Sequence, residues 1–433
     1  VADVELRRIL RLVSARSLNT VGRAVLNATV LWELYARTQS KLVLAGVGLA
    51  QVIPVVALFV PAGTLVDRSD RRALATAAAT TTGVIGLGLA LVSSYHAPIE
   101  LYFVLLLAQG CATVIHAPAV ASLIPLIIAR DQLTRTNRIS ASFQELATIV
   151  GPALAGLALK FVSASSVYSV LAITGLLAGV LYRSLPRPRA IDERAGFVTK
   201  GDPELARATV HRAPNPRKDW RVGLRFIFRS RLLLPALTLD MFAVLFAGVT
   251  ALLPAVASDV LHVDALGYGM LRAAQSLGAV AMAVIGGRIP PWRRPGRVLL
   301  IVVALFGLST VGFGLSTSFP LSLALLVVCG ALDNISVVIR LTLEQMVVPD
   351  AIRGRVSAVH YVFIGMSNEL GAAESGLAAF ALGTVPAIVA GGAVAVLVVG
   401  VVALRWRELA KMPPLAELQP AEDPGPVDHS RPA

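Results

Sequence analysis

The sequence predicts an all-α membrane protein: twelve spanning helices in two related sets of six, with both termini on the cytoplasmic side. Three observations predict it. The 433 residues are 56% hydrophobic and 15% charged, with a mean hydropathy of +0.73. Soluble domains carry about 25% charge, so this chain has too few polar groups to cover several water-facing domains. The apolar residues also fall into runs of about 20 or more, the length that crosses a bilayer core. Finally, the 39 Lys and Arg residues are sorted by position rather than scattered.

The elements follow in order. Segment one (12–36) is preceded by VADVELRRILRLV, whose basic, amphipathic pattern suits an interfacial lead-in rather than a cleavable signal. Segments two (42–66) and three (73–94) are joined by a short Arg-bearing stretch. Segments four (99–128) and five (139–161) carry interior Pro118 and Pro152, as segment two carries Pro54. Spanning helices tolerate such prolines because neighbours re-satisfy the freed backbone groups. Segment six (165–185) ends the first set, and Pro, Arg and short polar residues dominate from Pro186 to about Arg221. Segments seven (232–257), eight (267–288), nine (297–317), ten (320–347), eleven (356–382) and twelve (385–406) form the second set. The expected organisation is a first bundle over 1–185, a cytoplasmic linker over 186–230, a second bundle over 231–411 and a disordered tail over 412–433.

Charge sets the orientation. Of the basic residues, 33 fall on the side shared by the termini and only Arg37, Lys41 and Lys160 on the other, with Arg23, Arg272 and Arg340 inside spans. Such a bias places both termini in the cytoplasm. The formal charge of +13 is therefore a topology marker that faces anionic lipid, and no nucleic-acid partner is expected. Cys111 and Cys329 both lie inside apolar runs, which suits two reduced thiols and neither a disulfide framework nor a metal site.

The two sets repeat at an offset of 224 residues. Ile124-Pro125 meets Val348-Pro349, Gln144-Glu145-Leu146-Ala147 meets Asn368-Glu369-Leu370-Gly371, and Gly63 meets Gly287. Two similar six-helix halves are the layout of secondary transporters that rock about a midplane site.

Between segments two and three stands Gly63-Thr64-Leu65-Val66-Asp67-Arg68-Ser69-Asp70-Arg71-Arg72. A small residue permits close helix approach, and the Arg cluster faces the cytosol. The stretch resembles the G-x-L-x-D-R-x-G-R-R loop of the major facilitator superfamily, with Asp70 in place of the second Gly. Segment five carries Ala147, Gly151, Pro152, Ala155 and Gly156, similar to the G-x-x-x-G-P-x-x-G-G pattern of that superfamily's antiporters with two Gly changed to Ala. Leu239-Asp240-Met241-Phe242, Leu271-Arg272-Ala273-Ala274, Ser336 to Arg340, Arg353-Gly354-Arg355 and Ser367 to Gly371 resemble the siderophore- and drug-exporter branch. The resemblance runs from segment one to segment twelve. It implies a twelve-helix fold in a bacterial inner (plasma) membrane and proton-driven export of amphiphilic small molecules, drugs or siderophores, by alternating access. The alternative is a symporter that imports a small nutrient. Related antiporters often carry an Arg in helix four near a Gln-Gly pair. Here Gln109-Gly110 is present, yet Leu101 to Ala129 holds no Arg or Lys.

An ionised group near the bilayer centre costs on the order of 3 kcal/mol or more, so charges inside spans are functional candidates. Asp240, Asp333 and Glu369 are the expected proton carriers. Arg340 lies seven residues after Asp333, on the same helical face, and Glu344 four beyond it. A cycle that changes which acid an Arg pairs with can load and release a proton. Asn19, Arg23 and Asn27 share one face of segment one and either line the cavity or bond between helices. Arg272 and Asn368 join them as cavity or gating candidates. Gly63, Asp67, Arg68, Arg71 and Arg72 form the expected conformational-switch loop, and Gly151, Pro152 and Gly156 the antiporter-like packing face. Glu33 and Glu344, near helix ends, are expected to snorkel or pair with loops. His116 and His360 read as packed, hydrogen-bonded core residues.

No G-x-x-x-x-G-K-[ST], G-x-S-x-G or H-E-x-x-H pattern is present. Neither ATP drive nor an enzyme is expected, and no cofactor or metal. The driving force would be the proton gradient, the partners a small-molecule substrate and membrane lipids, and the protein a monomer.

Overall fold

A computed structural model describes residues 2–128, 132–186, 216–288, 290 and 292–418. The central stretch 187–215 and the tail 419–433, both expected to be irregular, lie outside the described residues. The first six helices are α1 (Ala2–Thr38), α2 (Lys41–Arg68), α3 (Arg71–Ser94), α4 (Ile99–Ile127), α5 (Leu133–Phe161) and α6 (Ala164–Ser184). The second six are α7 (Leu233–Ala247), α8 (Ala265–Gly286), α9 (Pro295–Leu315), α10 (Phe319–Val347), α11 (Asp350–Leu382) and α12 (Thr384–Arg405). Among the described residues there is no strand. Each helix coincides with a sequence segment to within a few residues, except that α1 absorbs the lead-in, α5 and α11 begin about two turns early, and regular α7 stops at Ala247, ten residues before the expected end of segment seven.

Nine of these runs are long and apolar enough to cross a membrane, the seventh counted from Leu233 to Val260. The other three are α1, α5 and α11, whose polar residues include Arg23, Gln144 and Glu369. Those same helices line the meeting of the two halves. Large apolar side chains such as Leu91, Val104, Ile301 and Leu397 point outward and exposed, as lipid contact requires.

The helix packing repeats between the halves. In the first, α1 packs on α5 and α6, α3 on α4 and α6, and α2 on α4. In the second, α7 packs on α11 and α12, α9 on α10 and α12, and α8 on α10. These are the same pairs advanced by six helices. The halves meet through α2 with α11 and α5 with α8, two pairs that the repeat also interchanges.

Small residues set the closeness of that meeting. A Cβ on Gly156 of α5 would lie 2.5 Å from Cα of Gly269 on α8, and one on Gly376 of α11 would lie 2.5 Å from the Ala45 nitrogen on α2. Within the first half, a Cβ on Gly151 would stand 2.6 Å from Cβ of Ala24 on α1. The segment-five glycines thus sit where neighbouring helices approach closely. Gly63 does not: a Cβ there would meet nothing within 4 Å. Its expected role as a close-approach glycine is corrected for this conformation.

The loop after α2 has a different local logic. Asp70, where the family pattern has Gly, caps α3 by accepting from the Arg72 and Ala73 nitrogens at 2.9 and 3.2 Å. The Arg72 side chain is buried and donates to the Leu185 carbonyl at 2.6 Å, which ties α3 to the end of α6. Arg68 is exposed and Arg71 half-buried, while the Asp67 side chain lies outside the described residues.

The linker is not wholly irregular. Pro216–Arg229 forms a helix on α11, where a Cβ on Gly223 would come within 2.7 Å of the Arg355 carbonyl.

Candidate functional site

The seventh span is broken. Its regular helix ends at Gly248, then continues through a short 3-10 turn (Val249–Leu252), a helical residue trio and a π turn (Val256–Val260). The carbonyls released at the break find new donors: Ser375 of α11 donates to Gly248 O at 3.3 Å and Thr310 of α9 to Ala247 O at 3.5 Å. Irregular backbone at membrane depth occurs where it borders a cavity. Here it borders one of about 220 Å³ between the halves.

That cavity is walled by Asn27 and Leu31 of α1, Gly48 and Gln51 of α2, Val244 and Thr250 of the seventh span, Arg272 of α8, and Asn368 and Glu369 of α11. Glu369 is within electrostatic reach of both Arg272 and Arg23, so a carboxylate from the second half interacts with a guanidinium from each half. Nε and Nη1 of Arg272 are buried and have no hydrogen-bond partner. Of the residues expected from the sequence, Asn27, Arg272, Asn368 and Glu369 therefore share one cavity and Arg23 adjoins it. Asn19 belongs elsewhere: it is buried and bonds the His116 ring of α4 at 3.2 Å. His116 also meets Tyr182 edge to face, as a packed core histidine does.

A second charged cluster lies inside the second half. Arg340 of α10 pairs with Asp240 of α7, both largely buried, and Arg340 Nε also donates to the Ser336 carbonyl at 3.2 Å. Asp240 and Asp333 line the same small cavity, together with Val244 and Phe306. Val244 borders both this cavity and the central one. The expected line of Asp333, Arg340 and Glu344 along one helix is corrected, since a helix rises about 1.5 Å per residue and seven residues separate the first two. Contacts across helices take its place. Glu344 is buried against Ser357 and His360 of α11 rather than snorkelling. Glu33 is likewise not at the surface: Ser93, Tyr102 and Tyr168 donate to it at 2.7, 2.9 and 2.8 Å, and Arg37 stands 3.8 Å away. Glu374 does not line the central cavity among the described residues, and the Glu145 side chain lies outside them. In α4, Gln109 donates to Thr82 at 3.3 Å, and a Cβ on Gly110 would abut Pro54 at 2.7 Å.

The cavity is clasped at the Arg-poor end. Tyr35 Oη donates to Asp259 Oδ2 at 2.5 Å, Lys41 stands 3.9 Å from the same oxygen, and Lys160 lies 3.7 Å from Asp264. Deeper in, Tyr268 Oη donates to the Ala28 carbonyl at 3.0 Å and its ring stacks on Trp32 at 5.2 Å. Every one of these contacts joins the first six helices to the second six. Sequence reasoning missed Tyr35, Gln51, Thr250, Asp259, Asp264 and Tyr268. The one signal for the clasp was that both Asp residues flank the loop after segment seven, on the side where basic residues are scarce.

The sequence profile of the Major Facilitator Superfamily matches residues 12–372. Macrolide efflux protein A of Streptococcus pyogenes is 24% identical over 330 residues, which cover 75% of this chain and 76% of that protein. Enterobactin exporter EntS of Citrobacter koseri is 26% identical over 370 residues, covering 84% and 83%. Among solved structures, a bacterial homologue of the human lysosomal transporter Spinster in an inward-facing, unoccupied conformation superposes with a TM-score of 0.68 at 16% identity, over 93% of this chain and 97% of that one. A POT family transporter in complex with 5-aminolevulinic acid gives 0.70 at 12% identity, over 93% and 96%. At these identities the structures carry the fold alone.

Proposed function

Because the chain belongs to the Major Facilitator Superfamily, we propose that it is a secondary active transporter that exports amphiphilic small molecules, drugs or siderophores, in exchange for protons. The observation that carries this reading is the buried cavity between the halves, clasped at the Arg-poor end and bordered by charges from both halves. With the Arg-rich face and both termini in the cytoplasm, the clasp shuts the cavity from the outside. Breaking it while the opposite ends of the halves close would turn the cavity outward. The bundles over 1–185 and 231–411 are the bodies that rock, joined by the linker over 186–230.

Charge balance assigns the two clusters different work. Arg340 pairs with Asp240, while Asp333, two turns away on α10, shares a small cavity with Asp240, so the cluster as a whole is neutral only with one carboxyl protonated. That cluster is the proton carrier. The central cavity, with the opposite imbalance, holds the cargo. The seventh span connects them, since Val244 is a wall of both cavities and the break at Gly248 follows one turn later. No Arg from α4 is needed in this arrangement, because Arg340 supplies the exchangeable pairing. Export rather than import is favoured by the two efflux relatives. Neutralising Asp240, Asp333 and Glu369 one at a time and measuring pH-gradient-driven efflux tests the assignment. Full activity in all three variants would sink it.

A further inference from the structure

Resting on the central cavity as the cargo site, we propose that the cargo is anchored by an organic oxyanion such as a carboxylate, seated on Arg272. The charged groups at this cavity, among the described residues, are Arg272, Glu369 and the adjoining Arg23. One carboxylate cannot balance two guanidiniums, so the site carries a surplus positive charge in a place where charge is costly to leave uncompensated.

The open donors point the same way. Nε and Nη1 carry three of the five N–H groups of a guanidinium, and on Arg272 both are buried without a partner. Unpaired buried donors are expensive, and an anionic oxygen compensates them with charge-assisted hydrogen bonds. Asn27, Gln51, Thr250 and Asn368 offer further hydrogen bonds, while Leu31, Val47 and Val244 supply an apolar wall for a ring or chain. A cationic head group would have to be desolvated beside two guanidiniums. At about 220 Å³ the cavity is smaller than the roughly 300–1,000 Å³ of drug-sized sites. It therefore takes a charged head group and a small aromatic ring system in this state. Glu369 acts as the resident counter-ion, which the cargo oxyanion displaces from Arg272.

The test is calorimetric titration of the full-length protein in lipid nanodiscs with three probes of one skeleton: 2-naphthoate, methyl 2-naphthoate and 2-naphthylmethylammonium. The expected order is naphthoate tighter than the ester, and the ester tighter than the ammonium, with about tenfold or more between naphthoate and ester. Arg272→Gln should lower naphthoate affinity to that of the ester. Glu369→Gln should raise it several-fold, a gain that misfolding cannot produce. Naphthoate binding no better than the ester, or a preference left intact by Arg272→Gln, overturns the proposal. The binding readout is independent of transport. Naphthoate selectivity in a protein that shows no pH-driven flux would leave the anion site standing and contradict the exporter reading instead.

Discussion

Tyr35 and Asp259 are 224 residues apart, the same offset that relates the two halves, and the Tyr35 hydroxyl donates to the Asp259 carboxylate at 2.5 Å. Equivalent positions of two repeats touch only beside the pseudo-two-fold axis that relates them. The clasp therefore sits at the centre of the Arg-poor end. Lys41 adds a third member at 3.9 Å.

Weakening that contact should open the site outward. In a Cys111→Ser, Cys329→Ser background, a Gln51→Cys reporter in the cavity wall measures access to a membrane-impermeant maleimide added outside whole cells. Asp259→Asn should raise the labelling rate several-fold, because it removes the charge that holds both Tyr35 and Lys41. Lys160→Ala should do much less, since its pair with Asp264 is about half exposed and such surface pairs contribute roughly 0–1 kcal/mol. Equal labelling in all three proteins would show that the clasp does not govern access.

The Gly156–Gly269 approach gives an independent way to disturb the same closure. A side chain on Gly156 has no room against α8, where even a Cβ would stand 2.5 Å from the Gly269 Cα. Gly156→Leu should hold the halves apart at this end, raise external labelling of the Gln51→Cys reporter, and abolish cargo exchange in proteoliposomes. A variant that exchanges normally with unchanged labelling would mean α5 and α8 never need to meet this closely.

The proton cluster predicts an asymmetry of stability. Asp333→Asn leaves the Asp240–Arg340 pair intact and should shift the thermal midpoint little. Arg340→Gln strands the buried Asp240 carboxyl beside Asp333 and should cost about 3–5 kcal/mol, read as a large drop in midpoint. Adding Asp240→Asn to Arg340→Gln should recover part of the loss. An Arg340→Gln protein as stable as Asp333→Asn would remove the charge-balance argument.

Asp70 makes a smaller, local claim. Because it caps α3 with two backbone bonds, Asp70→Ala should destabilise by about 1 kcal/mol, and Asp70→Gly by a few tenths. The comparison is a pair of thermal melts in detergent. A loss of transport without a loss of stability in Asp70→Gly would instead give Asp70 a part in gating.

Much of this was legible in the sequence. Hydrophobic runs located the helices of both sets, nine of which, among the described residues, are long and apolar enough to cross a membrane, because a span must be apolar for about 20 residues whatever it packs against. Charge inside spans singled out Arg23, Asp240, Arg272, Asp333, Arg340 and Glu369, since the bilayer makes such residues conspicuous. What could not be read was their pairing. Sequence spacing grouped Asp333, Arg340 and Glu344 on one helix, whereas Arg340 finds Asp240 on α7 and Glu344 finds His360 on α11. Neighbours across helices depend on tertiary packing, and a single chain carries no periodic trace of them. Uncharged wall residues such as Gln51 and Thr250 gave no signal, because a neutral polar residue in a span is ordinary. Asp259 and Asp264, in and beside the loop after segment seven, looked like any solvated acids.

The account stands most directly on accumulation of labelled compounds in inverted membrane vesicles energised by a pH gradient, with a panel of drugs and siderophores. At least one compound should accumulate only when the chain is present, and a protonophore should collapse the accumulation. Asp333→Asn should abolish uphill accumulation and keep downhill exchange. Accumulation that survives the protonophore, no difference from control vesicles across the panel, or full uphill accumulation in Asp333→Asn would contradict proton-coupled export.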